Sequence, residues 1–210
     1  MKQGSHVALL SVYDKTSVIE LAECFVRHDM VLVGSGGTAN TIRKRRINIV
    51  EVSEYTGSPE MPSGLVKTLH PKIHAGILGD WTNPEQRKYL EETHVQPIDF
   101  VVVNLYPFAE TIKSDPTNFR KAVDNVDIGG PALIRAAAKG ALLNHRVVPV
   151  TNPEQYHIII HELDNSSQVR DRLREKLAFE AFNATANYDL LIRDYFSRSI
   201  QHVNKPVVKS

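Results

Sequence analysis

Short apolar runs alternate with longer segments of helical period along this chain of 210 residues, and that alternation restricts the fold more than any other feature. Val7-Ala8-Leu9-Leu10-Ser11-Val12 and Phe100-Val101-Val102-Val103-Asn104 are apolar at successive positions, as strands buried on both faces are. Met30 to Val33, Ile47 to Val52 and Arg146 to Val150 read as three more strands. Between them, Ser17-Val18-Ile19-Glu20 fits a capping box, after which Leu21, Cys24, Phe25 and His28 fall on one helical stripe. Thr38 to Arg45, Pro84 to Thr93, Asn118 to Val123, Pro131 to Leu143, Pro153 to Leu163 and Ser167 to Arg198 are the other helical segments. Thr56 to Gly76, rich in Gly, Pro and His, reads as an extended loop. Strands alternating with helices predict parallel pairing through right-handed crossovers, hence an open, mostly parallel α/β sheet with helices on both faces. One domain over 1–200 and a frayed polar tail over 201–210 are expected.

Composition narrows the function by exclusion. A net charge of +1 leaves no electrostatic footprint for nucleic acid or anionic membrane. No apolar run approaches the ~18 residues that span a bilayer, and Met1 to His6 lead into no signal-peptide core. A soluble, cytoplasmic protein is expected. One cysteine, Cys24, is expected to exclude both an intrachain disulfide framework and a cysteine-based zinc site, and reads as a packed core thiol.

In such sheets ligands bind where the carboxyl ends of strands meet the following loops. The unusual composition gathers in five of them: 11–17, 34–38, 56–76, 104–108 and 126–130. Gly34-Ser35-Gly36-Gly37-Thr38 follows a strand and opens a helix, so backbone N–H groups and two hydroxyls can meet a phosphate. A tight turn without ligand is the alternative. Gly34, Gly36 and Ala39 also satisfy a dinucleotide fingerprint, but after the second strand and with Glu51 too close behind. Ser11, Tyr13 and Lys15 end the first strand, with Lys15 either a phosphate partner or a solvated lysine. Lys67-Thr68-Leu69-His70-Pro71-Lys72-Ile73-His74 concentrates cations; Pro71 between the histidines argues against a metal-binding helix. Asn104 and Tyr106 offer an amide and a phenol, or simply end a strand. Asp127, before Ile128-Gly129-Gly130-Pro131, either serves a ligand or complements a helix end.

Taken together, these strings resemble the inosine monophosphate cyclohydrolase domain, the amino-terminal half of a bifunctional purine-biosynthesis enzyme. The resemblance rests on Ser11 to Thr16, Ser35 to Ala39, Val52 to Gly57, Pro59 to Met61, Val66 to Pro71, Asn104 to Phe108, Asp127 to Gly130 and Arg135 to Lys139. It implies a methylglyoxal-synthase-like three-layer sandwich and a metal-free, cofactor-free ring closure of formamido-imidazole-carboxamide ribotide to inosine monophosphate. It carries Lys67, Tyr106, Asp127 and Lys139 over as the catalytic cluster. Ser11, Tyr13, Lys15, Ser35, Gly36, Gly37, Thr38, Leu65, Thr68, Asn104, Ile128 and Gly129 are the implied substrate-binding positions. A small-molecule ribonucleotide, a second copy of the chain and a separately encoded formyltransferase are the implied partners. Leu65 stands where such domains usually carry a phosphate-binding Arg, with Arg43 a candidate substitute. Ser17 replaces a usual Gly and Ser58 a usual aromatic. A relative acting on another ribotide or heterocycle, and a non-catalytic nucleotide-binding module, are the alternatives.

Overall fold

The computed structural model describes residues 6–64 and 66–203. Five parallel strands run β1 (Val7–Val12), β2 (Val31–Gly34), β3 (Val50–Glu51), β4 (Ile98–Asn104) and β5 (Val148–Val150), in the spatial order β3-β2-β1-β4-β5. Helices α1 (Val18–Arg27), α2 (Gly36–Arg43), α3 (Val52–Thr56), α4 (Pro71–Leu78), α5 (Pro84–Glu92), α6 (Phe108–Ser114), α7 (Phe119–Asp124), α8 (Gly129–Leu143), α9 (Tyr156–Ser166) and α10 (Asp171–Val203) flank the sheet. The sheet matches the α/β expectation. Residues of β1 alternate between two cores: Ala8, Leu10 and Val12 pack with Phe25, Phe100, Tyr156 and Ile159, while Val7 and Leu9 pack with Ile73, Ile77, Leu133 and Ala137. Burial on both faces is why the strand shows no polar alternation.

Small side chains set how closely α8 and α10 approach. Ala136, Ala137, Ala138 and Ala141 of α8 share one core with Ala178 and Ala181 of α10. Farther along, α10 leaves the sheet and packs Tyr188, Leu191, Ile192 and Phe196 against Phe108 and Ala122.

Where the structure departs from the sequence reading, a local competitor has won. Ser17 makes no side-chain cap and has φ 53°. The preceding turn is organised instead by Asp14, whose Oδ1 accepts from the N–H (2.9 Å) and hydroxyl (2.7 Å) of Thr16. Strand β3 is only two residues long, because Val52 already starts α3. The loop expected over 56–76 ends at Leu69–His70. Pro71 occupies the first position of α4, where its missing N–H costs nothing, and His70 Nδ1 accepts from Lys72 N at 3.1 Å. Helix α6 follows Pro107 directly and was not expected. Both α2 and α8 begin two residues earlier than the sequence signals, on glycines. Residues 201–203 continue α10, while 204–210 lie outside the described residues.

Candidate active site at the carboxyl ends of the strands

Helix α2 begins at the carboxyl end of β2, with Ser35 as its buried N-cap residue. The first-turn amides of Gly36 and Gly37 have no acceptor inside the helix, which makes this end a natural seat for an anion. The neighbouring loop is stitched to it through Thr38: its hydroxyl donates to Val12 O and accepts from Val12 N, both at 3.0 Å. Ser11 Oγ lies 2.8 Å from Ser35 Oγ. Thr38 therefore positions the loop, and the Ser11–Ser35 pair is the hydroxyl group of the site.

Two ammonium groups flank this helix end. Lys67 Nζ sits 3.2 Å from where a Cβ would lie on Gly36, and 3.2 Å from the same point on Gly64. Gly36 (φ +29°) and Gly64 (φ +71°) thus supply both the backbone conformation and the space that Lys67 needs. On the other side, Lys15 Nζ is 4.0 Å from the corresponding point on Gly37 and donates to Tyr13 O at 3.1 Å and Val12 O at 3.4 Å. Among the described residues, neither lysine pairs with a carboxylate within ion-pair distance.

The arc continues past Lys67. Thr68, buried, places its Oγ1 2.9 Å from the Cβ position of Gly129. Leu105 lies against Gly130, bringing the end of β4 beside the start of α8. Asp127 Oδ1 accepts from Gly130 N at 2.9 Å, and Asp127 N donates to the Tyr188 hydroxyl at 2.8 Å. Its carboxylate thus complements the helix end, and its place on the rim is fixed from α10. Ile128 is exposed beside it. Tyr188 had no local signal, since it lies 61 residues downstream of the loop it holds. Burial pushes its phenol pKa up, which keeps it a neutral hydroxyl in that role.

Tyr106 and Tyr13, both exposed, meet at a tilt of 57° with ring centroids 4.4 Å apart and form an aromatic wall. Asn104 sits behind them. Its Oδ1 accepts from Tyr13 N (2.7 Å) and Asp14 N (3.0 Å), and its Nδ2 donates to Asp14 O (2.9 Å). Its amide thus shapes the 13–14 turn. A groove of about 740 Å³ opens along Tyr13, Lys15, Asn104 and Pro107. A slightly larger cavity of about 780 Å³ lies at the amino ends of the strands, among His6, Asp99 and Arg146, where the charges already pair with one another. Its size does not make it the site.

Three of the four residues expected to act together thus share one rim: Lys67, Tyr106 and Asp127. Lys139 does not join them. It lies ten residues into α8 from Gly129, about 15 Å along the axis, on an exposed flank with Arg135, Leu142 and Phe182. Arg43 is no substitute phosphate ligand, because it closes the last turn of α2 and pairs with Glu51 at 3.0 Å. Leu65 lies outside the described residues. His70 caps α4 and meets Ser58 Oγ at 3.1 Å, so it does not join His74 in a ligand set. Among the described residues, no helix is long and apolar enough to cross a membrane.

Comparison with known proteins places these loops in context. Residues 17–132 match the MGS-like domain, and 137–209 match the AICARFT/IMPCHase bienzyme. The bifunctional purine biosynthesis protein PurH of Rippkaea orientalis is 45% identical over 194 residues, covering 91% of this chain and 37% of that protein. The PurH proteins of Prochlorococcus marinus and Bacillus cereus are 42% and 41% identical, over 98% and 92% of this chain and 39% and 37% of theirs. The chain therefore spans under two-fifths of the length of these curated relatives. The crystal structure of ForH superposes with a TM-score of 0.80 at 28% identity, covering 92% of this chain and 98% of that one.

Proposed function

The chain belongs to the MGS-like domain family, and we propose that it is an IMP cyclohydrolase that closes formamido-imidazole-carboxamide ribotide to inosine monophosphate. The observation that carries this reading is the pair of ammonium groups, Lys15 and Lys67, on either side of the α2 amino end, neither in an ion pair among the described residues. Two cations, first-turn amides and the Ser11–Ser35 hydroxyls form a receptor for a dianion such as a ribotide phosphate. The names of the PurH relatives supply the purine context.

Ring closure joins the carboxamide nitrogen to the formyl carbon. One proton from that nitrogen and one from the formamido nitrogen leave with the formyl oxygen as water. An amide is a weak nucleophile and a formamide a weak electrophile, so the enzyme gains most by holding them in contact. A donor aimed at the developing oxyanion is worth about 10²–10³ in rate. Tyr106 is the exposed donor for the formyl oxygen, Asp127 orients the carboxamide, and Lys67 balances charge between phosphate and ring. Lys139, exposed on α8 ten residues beyond Gly129, is given no step in this reading within a single copy of the chain. The reaction calls for no redox group or metal. The reading places the enzyme in the cytoplasm with the rest of purine biosynthesis, its substrate supplied by a formyltransferase.

Leu65 and Ser58 favour one second reading, a relative whose substrate presents its phosphate differently. The decisive experiment supplies formylated aminoimidazole-carboxamide ribotide to the purified protein and follows inosine monophosphate by absorbance. Turnover that collapses in Lys67→Ala supports the cyclohydrolase. Binding of inosine monophosphate with no turnover would overturn it in favour of a binding module; turnover gained only with Leu65→Arg would favour the second reading.

A further inference from the structure

We propose that Cys24, His28 and Asp164 form a binding site for a zinc-class cation, on the side of the molecule away from the nucleotide rim. Cys24 and His28 are four residues apart at the end of α1, so they share a helix face. Helix α9 packs against α1 and brings Asp164 to the same place. Cys24 Sγ lies 3.9 Å, and His28 Nε2 3.2 Å, from Asp164 Oδ1. All three ligand atoms are within 4.8 Å of one another.

The two separations from Asp164 Oδ1 convert directly to coordination angles. With Zn–S about 2.3 Å, Zn–N about 2.05 Å and Zn–O about 2.1 Å, they correspond to S–Zn–O near 125° and N–Zn–O near 100°. Both angles straddle the tetrahedral value. A thiolate, an imidazole and one carboxylate oxygen leave the fourth position to water, and Asp164 is exposed enough to admit it. Thiolate and imidazole together select zinc over calcium or magnesium.

The surroundings suit a cation. The cluster lies at the carboxyl end of α1, the negative end of the helix dipole. Thiolate and carboxylate together neutralise a dication, and the thiol proton leaves to solvent on binding. Arg27 Nη2 donates to both Asp164 oxygens, at 3.1 and 3.2 Å. When Oδ1 turns to the metal, Oδ2 keeps Arg27, the outer partner that orients a ligating carboxylate. The sequence hid this site because Asp164 is 140 residues from Cys24, and a lone cysteine argues against zinc until its neighbours are known. Bound metal would clamp α1 to α9 without touching the rim.

Zinc titrated into chelator-treated protein, followed by desalting and elemental analysis, tests the assignment. One equivalent should be retained, and Cys24→Ser, His28→Gln and Asp164→Asn should each weaken binding at least tenfold. The last two break only a partly exposed ion-pair cluster with Arg27, so metal-free melting should fall slightly at most, and lost binding in the folded variants will report a lost ligand. Cobalt in place of zinc should show a thiolate charge-transfer band that Cys24→Ser removes. No retained zinc, equal zinc in wild type and variants, or a cobalt spectrum indifferent to Cys24 would overturn the proposal. Cyclohydrolase turnover should be the same with and without metal, so this test and that of the rim fail independently.

Discussion

Arg146 and Lys67 carry the same charge at opposite ends of one sheet, in opposite circumstances. At the amino end, Arg146 donates to Asp99 Oδ1 at 2.6 Å and to the carbonyls of Ile98 and Gly76 at 2.8 Å, and His6 pairs with the same Asp99. Arg170 pairs with Glu162 and Arg174 with Asp171 on that side too. At the carboxyl end, Lys67 and Lys15 meet glycines and carbonyls, and among the described residues neither has a carboxylate within ion-pair distance, although the charge of Lys15 is felt at Asp14. The rim does contain acids, but they are directed to backbone donors: Asp14 to Thr16, and Asp127 to Gly130. A cation with its own counter-ion seals a surface, while one without waits for a ligand to supply the negative charge. In a parallel sheet the helix amino ends add their partial positive charge at the same edge, so the imbalance and the fold reinforce each other.

Substitutions can break that contrast from either side. The largest effect is expected for Arg146→Ala, which leaves Asp99 buried and without its arginine. Losing one partner of such a pair costs about 3–5 kcal/mol, or roughly 6–20 °C in melting midpoint, readable by calorimetry. Lys67→Ala should do the reverse: turnover down about 10²–10³, with melting little changed. A drop in stability as large as that of Arg146→Ala would show that Lys67 holds the fold rather than a ligand. Gly36→Ala forces an alanine toward the left-handed region and against Lys67 Nζ, so we expect about 1–2 kcal/mol lost stability and weakened nucleotide binding by thermal shift. Lys139→Ala should leave turnover within about tenfold, since a solvent-facing lysine makes no transition-state contact. A collapse matching Lys67→Ala would instead mean that a second copy carries Lys139 to the rim.

The smallest effect concerns His74, behind the rim. Burial holds its pKa below the usual 6.5, against a smaller opposing pull from its hydrogen bond to the Thr68 backbone. The folded state thus favours the neutral ring. Its contribution to stability is complete above about pH 6.5 and is lost as the pH falls from there through the depressed folded value. Melting midpoints measured from pH 7.5 down to 5 should fall less steeply in His74→Gln than in wild type.

The sheet was legible because burial on both faces leaves a direct mark, and the loops because glycine, lysine and aromatic residues crowd after the strands. Less legible was anything decided by a distant partner. The sequence of Ser17 to Glu20 looks like a capping box, but Asp14 captures the turn first. Asn104 resembles a ligand-reading amide until the 13–14 backbone takes up its oxygen. Lys139 looks adjacent to Asp127 on paper, twelve positions away, but the uninterrupted α8 converts that spacing into distance. Tyr188 and Asp164 act across 61 and 140 residues, where no window of sequence could couple them.

The two family matches stop and resume at 132 and 137, and both boundaries fall inside α8. No hinge lies there. A clone trimmed to the first match would end mid-helix and strip Ile73, Ile77 and Val101 of the α8 and α10 residues that share their core. Such a truncation should yield sticky, poorly soluble material, and anyone grafting this rim elsewhere must carry the whole rod through α10 along with it.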